Sequence, residues 1–349
     1  MRTKTTTQSE ISTPSPLLDA DGKLVQVGWA RQPYLDCNLE NARVYRPRLL
    51  QALRIKRWDY YGVTAPNFFF SATLAHLGYV GTAFVYILDF TTGELHEETV
   101  LLPMGRGVHL ARNSDRGDSY FDNGRVRLAF RLEEGVRRVQ VEWPRFNRGE
   151  GLTADFALRC APDHESTVTA TAMGGRRFFY TRKTNCLPAE GWVSRGDRRL
   201  ELRPDDSLGN MDWGRGIWAY RTSWIWASAS AFLEDGRTVG LNLGGGFGDA
   251  PAPDNALILS GRVHKLEDVR LDYDRANLMR PWRLTSPDGR LDLDFVPFEE
   301  RVARTNLLLV RSELHQVFGH YSGTATTADG QAIRLPGVIG FIEAHDARW

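Results

Sequence analysis

The sequence predicts an all-β protein with little helix, arranged as two antiparallel β-barrels or sandwiches in tandem. Three observations carry this. Short β-branched and aromatic runs recur along the 349 residues, and many alternate apolar with polar. Turn signals such as TTGE, DNGR, EEGV, EDGR, PDGR and ADGQ separate them at close intervals. A weak internal repeat relates the two halves, and a repeat of that size points to a duplicated β unit.

The elements follow in order. Residues 1–15, MRTKTTTQSEISTPS, are polar and have no apolar core of a signal peptide, so they read as a disordered tail. Residues 46–58, RPRLLQALRIKRW, are the best helical candidate. Strands are expected at 68–77, 82–90, 125–132, 138–143 and 152–160. The second half continues in the same style with WIWASASAFL, TVGLNLGGGF, NALILSGRVHKL, LDLDFVPF and GVIGFIEAHD. The repeat aligns the stretch starting at Asn67 with that starting at Ser223, an offset of 223 − 67 = 156. RWDYYG and MDWGRG precede the two copies, which makes Asp59 the positional cousin of Asp212. The stretch TNCLPAEGWVSRGDRRLELR then reads as the crossover, giving a first domain over 16–190 and a second over 191–349.

Composition narrows the function classes. Formal net charge is +1, so no global field steers the chain toward nucleic acid or an anionic membrane. The basic residues are nearly all arginine, with lysine only at 4, 23, 56, 183 and 265. Three widely spaced cysteines, Cys37, Cys160 and Cys186, suggest neither a disulfide framework nor a zinc site, and a reducing cytoplasm fits them best. No stretch reaches the ~18 to 20 apolar residues of a membrane helix. The eight histidines are scattered, so no metal is expected. GGGFGD at 244–249 lacks the spacing and the following helix of a phosphate loop, and GxSxG is absent. No cofactor is implied.

One stretch stands apart. NMDWGRGIWAYRTSWIWAS, residues 210–228, holds four of the ten tryptophans. Strand alternation puts Trp218, Tyr220, Thr222, Trp224 and Trp226 on one face, an aromatic wall. Such a wall fills a barrel core or lines a small-molecule cavity. Asp212 and Arg215 beside it bear on that choice, because a core avoids charge unless the charge is paired. They read either as a functional acid with an arginine that orients it or a polar head group, or as a brace pairing with each other. A second cluster, KRWDYYG, contributes Lys56, Trp58, Asp59 and Tyr60. Trp213, Asn242, Asp254, Asn255, His264 and His109 are further candidates for a cavity wall, or equally for turns and rims.

The segments MDWGRGIWAYRTSWIWASAS, VGLNLGGGFGD, DNALILSGRVHKL, KRWDYYGV and GYVGTAFVYILDF resemble the signature segments of the DUF2804 family, bacterial proteins of unassigned function, and they match in order along the chain. The resemblance runs from about Leu18 to the C-terminus. More distantly, Asp followed by Trp-Gly before a Trp-rich strand is similar to a pattern of the AttH and carotenoid 1,2-hydratase group. Here the Asp lies directly beside the Trp, and no His follows. That resemblance implies two lipocalin-like barrels, and a group whose members include hydratases and cyclases acting on apolar polyenes.

Three functions are compatible with these residues. An enzyme on an apolar lipid, isoprenoid or polyene would use Asp212 as general acid, with Trp218, Trp224 and Trp226 facing a developing cation. A non-catalytic carrier would use the same wall, with Arg215 or Lys56 gripping a carboxylate. A carbohydrate-active hydrolase would need a carboxylate pair, and Asp59 with Asp212 would supply it only if the two barrels faced each other. The expected partner is a small-molecule ligand in each case.

Overall fold

The computed structural model describes residues 9–245, 254–307 and 310–348. Two curled antiparallel half-barrel sheets make up the molecule, as the alternating runs and turn signals predict. In the first, hydrogen-bonded neighbours run Leu95–Pro103, Val80–Asp89, Phe68–His76, Lys56–Thr64, Leu208–Ile217, Phe178–Arg195, Leu152–Arg159, Val136–Trp143, Arg127–Glu133 and Ser119–Asp122. In the second they run Arg262–Lys265, Ala256–Leu259, Thr238–Gly245, Arg221–Phe232, Ala332–Arg348, Val310–Thr326, Leu291–Leu307, Trp282–Thr285 and Arg270–Asp272. Each sheet folds around its own core. Phe70, Phe121, Phe156 and Trp213 belong to the first, and Trp282, Phe295, Tyr321 and Leu241 to the second.

Both sheets follow one plan. A four-strand meander runs from the sheet centre to one edge, and its first strand pairs with the strand that ends the unit. This equates Lys56–Thr64 with Arg221–Phe232, one strand away from the alignment of Asn67 with Ser223. MDWGRG therefore does not open a second barrel. It lies in Leu208–Ile217, the last strand of the first sheet, hydrogen-bonded to KRWDYYG so that Asp212 faces Tyr60 and Trp213 faces Asp59 across the ladder. The expected crossover is a hairpin of that same sheet, Phe178–Arg195 with Arg198–Leu202. Sheet membership thus changes between Ile217 and Arg221 rather than near residue 190.

Two further expectations shift. The helix spans Arg48–Arg54 only, because from Lys56 the backbone pairs with Leu208–Ile217. Within the stretch expected as a tail, Ile11 is buried and Ser15–Pro16 pairs with Leu35–Asp36. Residues 1–8 lie outside the described residues, as does Phe247 of GGGFGD.

The sheets pack face to face. Phe69 and Tyr60 of the first meet Phe318 and Trp226 of the second, with ring centroids 5.1 and 5.6 Å apart. The strand Phe178–Arg195 adds a bulge at Asn185–Cys186, where Asn185 donates to Ser228 Oγ and to the Ala229 carbonyl of the second sheet. The central strands of the first sheet are consequently buried on both faces. This is why FFFSATLAH reads as a continuous apolar run instead of alternating.

Candidate functional site

Strand register assembles a cavity of about 260 Å³ between the sheets. In the first sheet one cross-strand row runs Lys183, Asp212, Tyr60, Thr73, Phe84 and Thr99. The next row on that face runs Gly214, Trp58, Ala75, Thr82 and Leu101. In the second sheet the facing rows are Gly244, Trp226, Glu343, Gln316 and Arg301, then Trp224, His345, Leu314 and Ala303. Nearly all of these side chains line the cavity, with Asp254, Phe179 and Trp218.

Aromatic rings form most of the wall. Trp58 stacks on Trp218 at 5.1 Å, and Phe179 packs against Trp218 at the same distance. Trp218 leaves the end of the first sheet, whereas Trp224 and Trp226 open the second, so the expected wall comes from two sheets rather than one face of one strand.

Against this wall sit ionisable groups of both signs. Lys183 Nζ lies 2.7 Å from Asp212 Oδ2 and 4.0 Å over the Trp226 ring. Thr181 donates to the other Asp212 oxygen at 3.1 Å. Arg301 holds Glu97 through two bonds of 2.9 and 2.7 Å and covers the Tyr86 ring at 4.3 Å. The Trp224 indole donates to Glu343 Oε1 at 3.0 Å. Burial pushes the Glu343 carboxyl above the usual carboxylate range, against the pull of the Trp224 bond, Arg301 and Lys183. Asp254 is raised for the same reason. It accepts from Thr169 at 2.6 Å, and its Oδ2 makes no hydrogen bond among the described residues. His345 packs at a tilt against Trp224, with ring centroids 4.1 Å apart, and shares a 2.8 Å bond with Ser312. Burial and then Arg301 push its pKa down to about 3, which keeps the ring neutral.

Asp212 and Arg215 point to opposite faces of their strand. Asp212 faces the cavity and Lys183. Arg215 faces the first barrel's interior, where Nη2 bonds Asp59 Oδ1 at 2.8 Å and the Ala111 carbonyl at 2.8 Å. Ser119 donates a short bond to the other Asp59 oxygen. Trp213 is on that inner face too, with Arg215 4.2 Å over its ring. Asp59 and Asp212 are therefore separated by the sheet, and the carboxylate pair of a hydrolase is not formed by them.

The other sequence candidates divide in the same way. Trp58, Tyr60, Trp218, Trp224, Trp226 and Asp254 line the cavity. Asn242 stands behind it, accepting from the Trp226 indole at 2.8 Å and donating to the Asp254 carbonyl at 2.5 Å. Asn255 accepts from the Gly244 amide and ties Glu267, bracing the backbone there. Tyr220 is exposed beside Arg54, and His264 accepts from Ala328 on the surface, neither of them on the cavity. Lys56 is buried, donates to the Leu77 carbonyl at 2.5 Å, and is pushed by burial down to about 7. His109 stacks on Tyr120.

Lys183, Glu343, Arg301, Glu97 and His345 were not singled out from the sequence. A faint signal existed for Lys183, one of five lysines in an arginine-rich chain, set inside the strand FFYTRKTNC. None existed for Glu97 and Arg301, which are 204 residues apart. Among the described residues no group of acidic, histidine and cysteine side chains could hold a metal ion.

The sequence matches the profile of the "Domain of unknown function (DUF2804)" over residues 8–349. The chain belongs to the DUF2804 family. A comparison with curated proteins finds no significant match. Among solved structures, a candidate AttH from Nitrosomonas europaea is similar at 15% identity and a TM-score of 0.52, over 86% of this chain and 96% of that one. CghA shares 11% identity at a TM-score of 0.45, over 84% and 88% of the two chains. Kievitone hydratase from Nectria haematococca shares 10% at 0.42, again over 84% and 88%. The AttH likeness shows that this DUF2804 protein has the same tandem barrel fold.

Proposed function

We propose that the inter-barrel cavity binds an apolar small molecule of lipid, isoprenoid or polyene type and performs proton-transfer chemistry on it, of the hydratase, isomerase or cyclase class. One observation carries this reading: a carboxyl raised by burial, Glu343, faces an aromatic-walled cavity whose two cations already hold other carboxylates. An apolar site that raises a carboxyl's pKa favours its protonated, proton-donating form. The role expected of Asp212 therefore passes to Glu343, because Lys183 Nζ already occupies Asp212 Oδ2 at 2.7 Å.

In this scheme the ligand's double bond takes the Glu343 proton, forming a C–H bond and leaving positive charge on the adjacent carbon. The faces of Trp218, Trp224 and Trp226 and the Asp212 carboxylate stabilise that charge. Addition of water, whose surplus proton goes to the Glu343 carboxylate, or loss of a neighbouring C–H proton to that carboxylate completes the reaction and restores the acid, and the scheme uses no cofactor.

Native mass spectrometry of the purified protein tests the ligand class, and a co-purifying apolar compound is expected. Recovery of a sugar overturns it. With that compound as substrate, Glu343→Gln is expected to lower kcat by ~10²-fold or more, while tryptophan quenching shows that binding persists. Unchanged turnover overturns the acid role and leaves a carrier.

A further inference from the structure

The near-zero net charge conceals a lopsided surface. Among the described residues twelve large hydrophobic side chains are exposed, and five of them, Leu49, Leu50, Leu101, Met104 and Tyr220, ring one end of the cavity. Their placement follows from contacts. Leu101 itself lines the cavity while remaining 53% exposed, so the cavity opens there. The Met104 amide bonds the Tyr79 carbonyl in the turn between the lining residues Leu77 and Val80. The end of the helix Arg48–Arg54 packs on that same turn, so closely that a Cβ on Gly78 would lie 2.1 Å from the Leu53 carbonyl oxygen. Arg54 reaches the carbonyl of Trp218, another lining residue, and covers the Tyr220 ring.

Along the segments that carry these side chains, the charge of this rim has one sign. The four segments that build it, 43–57, 76–82, 99–107 and 218–222, contain seven arginines and one lysine and no aspartate or glutamate. Arg46, Arg48, Arg106 and Arg221 are exposed among them. Leu49 is 70% exposed on the free side of the helix. Exposed leucines flanked by arginines are the composition that partitions into the headgroup boundary of an anionic bilayer.

We propose that this rim docks the protein on an anionic lipid surface, with Leu49 and Leu50 entering the interface and the arginines meeting lipid phosphates. The cavity mouth then faces the apolar phase from which a hydrophobic ligand comes. The docking surface stands on exposed residues and does not depend on the chemistry inside the cavity.

Co-sedimentation of the full chain with vesicles tests this. Binding is expected to vesicles with about a third phosphatidylglycerol, to be weak on pure phosphatidylcholine, and to fall as salt rises from about 0.05 to about 0.5 M. Leu49→Ser with Leu50→Ser, and separately Arg46→Ser with Arg48→Ser, are each expected to lower the partition coefficient by ~10-fold or more. Val296→Ser, at an exposed apolar position on another strand, is expected to leave it unchanged. Circular dichroism and thermal melts establish that each variant is folded. The proposal is overturned if anionic vesicles bring down no protein or if neutral vesicles bind it equally. It is likewise overturned if the leucine pair has no effect, the outcome expected of an acidic protein partner read by charge alone.

Discussion

Arg215 and Asp212 sit three residues apart and do different work. Arg215 and Asp59 form an ion pair in the first barrel's interior, with side chains 1% and 5% exposed. Such a pair contributes little by itself, but removing one partner leaves a buried charge uncompensated. Arg215→Met is therefore expected to destabilise by ~3 to 5 kcal/mol, and adding Asp59→Asn is expected to recover part of it in chemical denaturation. His345 makes the opposite kind of prediction. Its folded pKa of about 3 lies below the ordinary 6.5. The stability it contributes is present above pH 6.5 and is lost as pH falls toward 3, since only the unfolded chain takes up the proton. At pH 5 the loss amounts to ~2 kcal/mol. His345→Gln should remove about that much from the difference in unfolding free energy between pH 7.5 and pH 5; an unaltered difference means the ring is already charged in the fold.

At the scale of the strand, Leu208–Ile217 is buried along its whole length, so its two faces serve two environments. Period-two alternation assigns Asp212 and Gly214 to the cavity and Trp213 and Arg215 to the core. Gly214 has a specific reason to lack a side chain. A Cβ there would lie 2.3 Å from the Trp58 indole, which occupies the space above it. Gly214→Ala is expected to push Trp58 into the cavity, to cost ~1 to 3 kcal/mol through overpacking, and to weaken binding of any cavity ligand. A crystal structure of the variant with Trp58 undisturbed would contradict this account. The same alternation explains why neighbouring residues of MDWGRG were hard to sort. Which face is which depends on the partner strands, and both faces of this strand are covered.

For the molecule as a whole, the cavity belongs to neither barrel alone. Its cation–carboxylate pair Arg301–Glu97 spans the two sheets, and so do the Phe69–Phe318 and Tyr60–Trp226 contacts. Separation would expose the aromatic face of each sheet to water, at ~25 cal/mol per Å² of apolar surface. A fragment of residues 9–217, the first sheet by strand pairing, is expected to bind hydrophobic dye and to unfold without a cooperative transition. The intact chain should show the opposite behaviour. A monomeric, dye-silent fragment with a sharp melt would show that the barrels are independent. Ligand binding across the join is expected to raise the melting temperature of the intact chain with concentration.

The sequence by itself determined the all-β class, the turns and most strand positions, because period-two alternation and turn chemistry are local. It also singled out the tryptophans of the cavity, since aromatic density beside charge is visible in one stretch. It did not determine which strand ends the first sheet. MDWGRG looked like the start of a second unit because its likeness to RWDYYG reflects two strands hydrogen-bonded side by side, not two repeats. Nor could it pair Asp212 with Lys183 or Arg215 with Asp59, since composition says nothing of cross-strand register. Glu343, His345, Arg301 and Glu97 became part of a site only when two sheets packed face to face. Burial then raised two carboxyls, Glu343 and Asp254, and silenced one histidine, and burial is a property of the packed structure rather than of any residue in it.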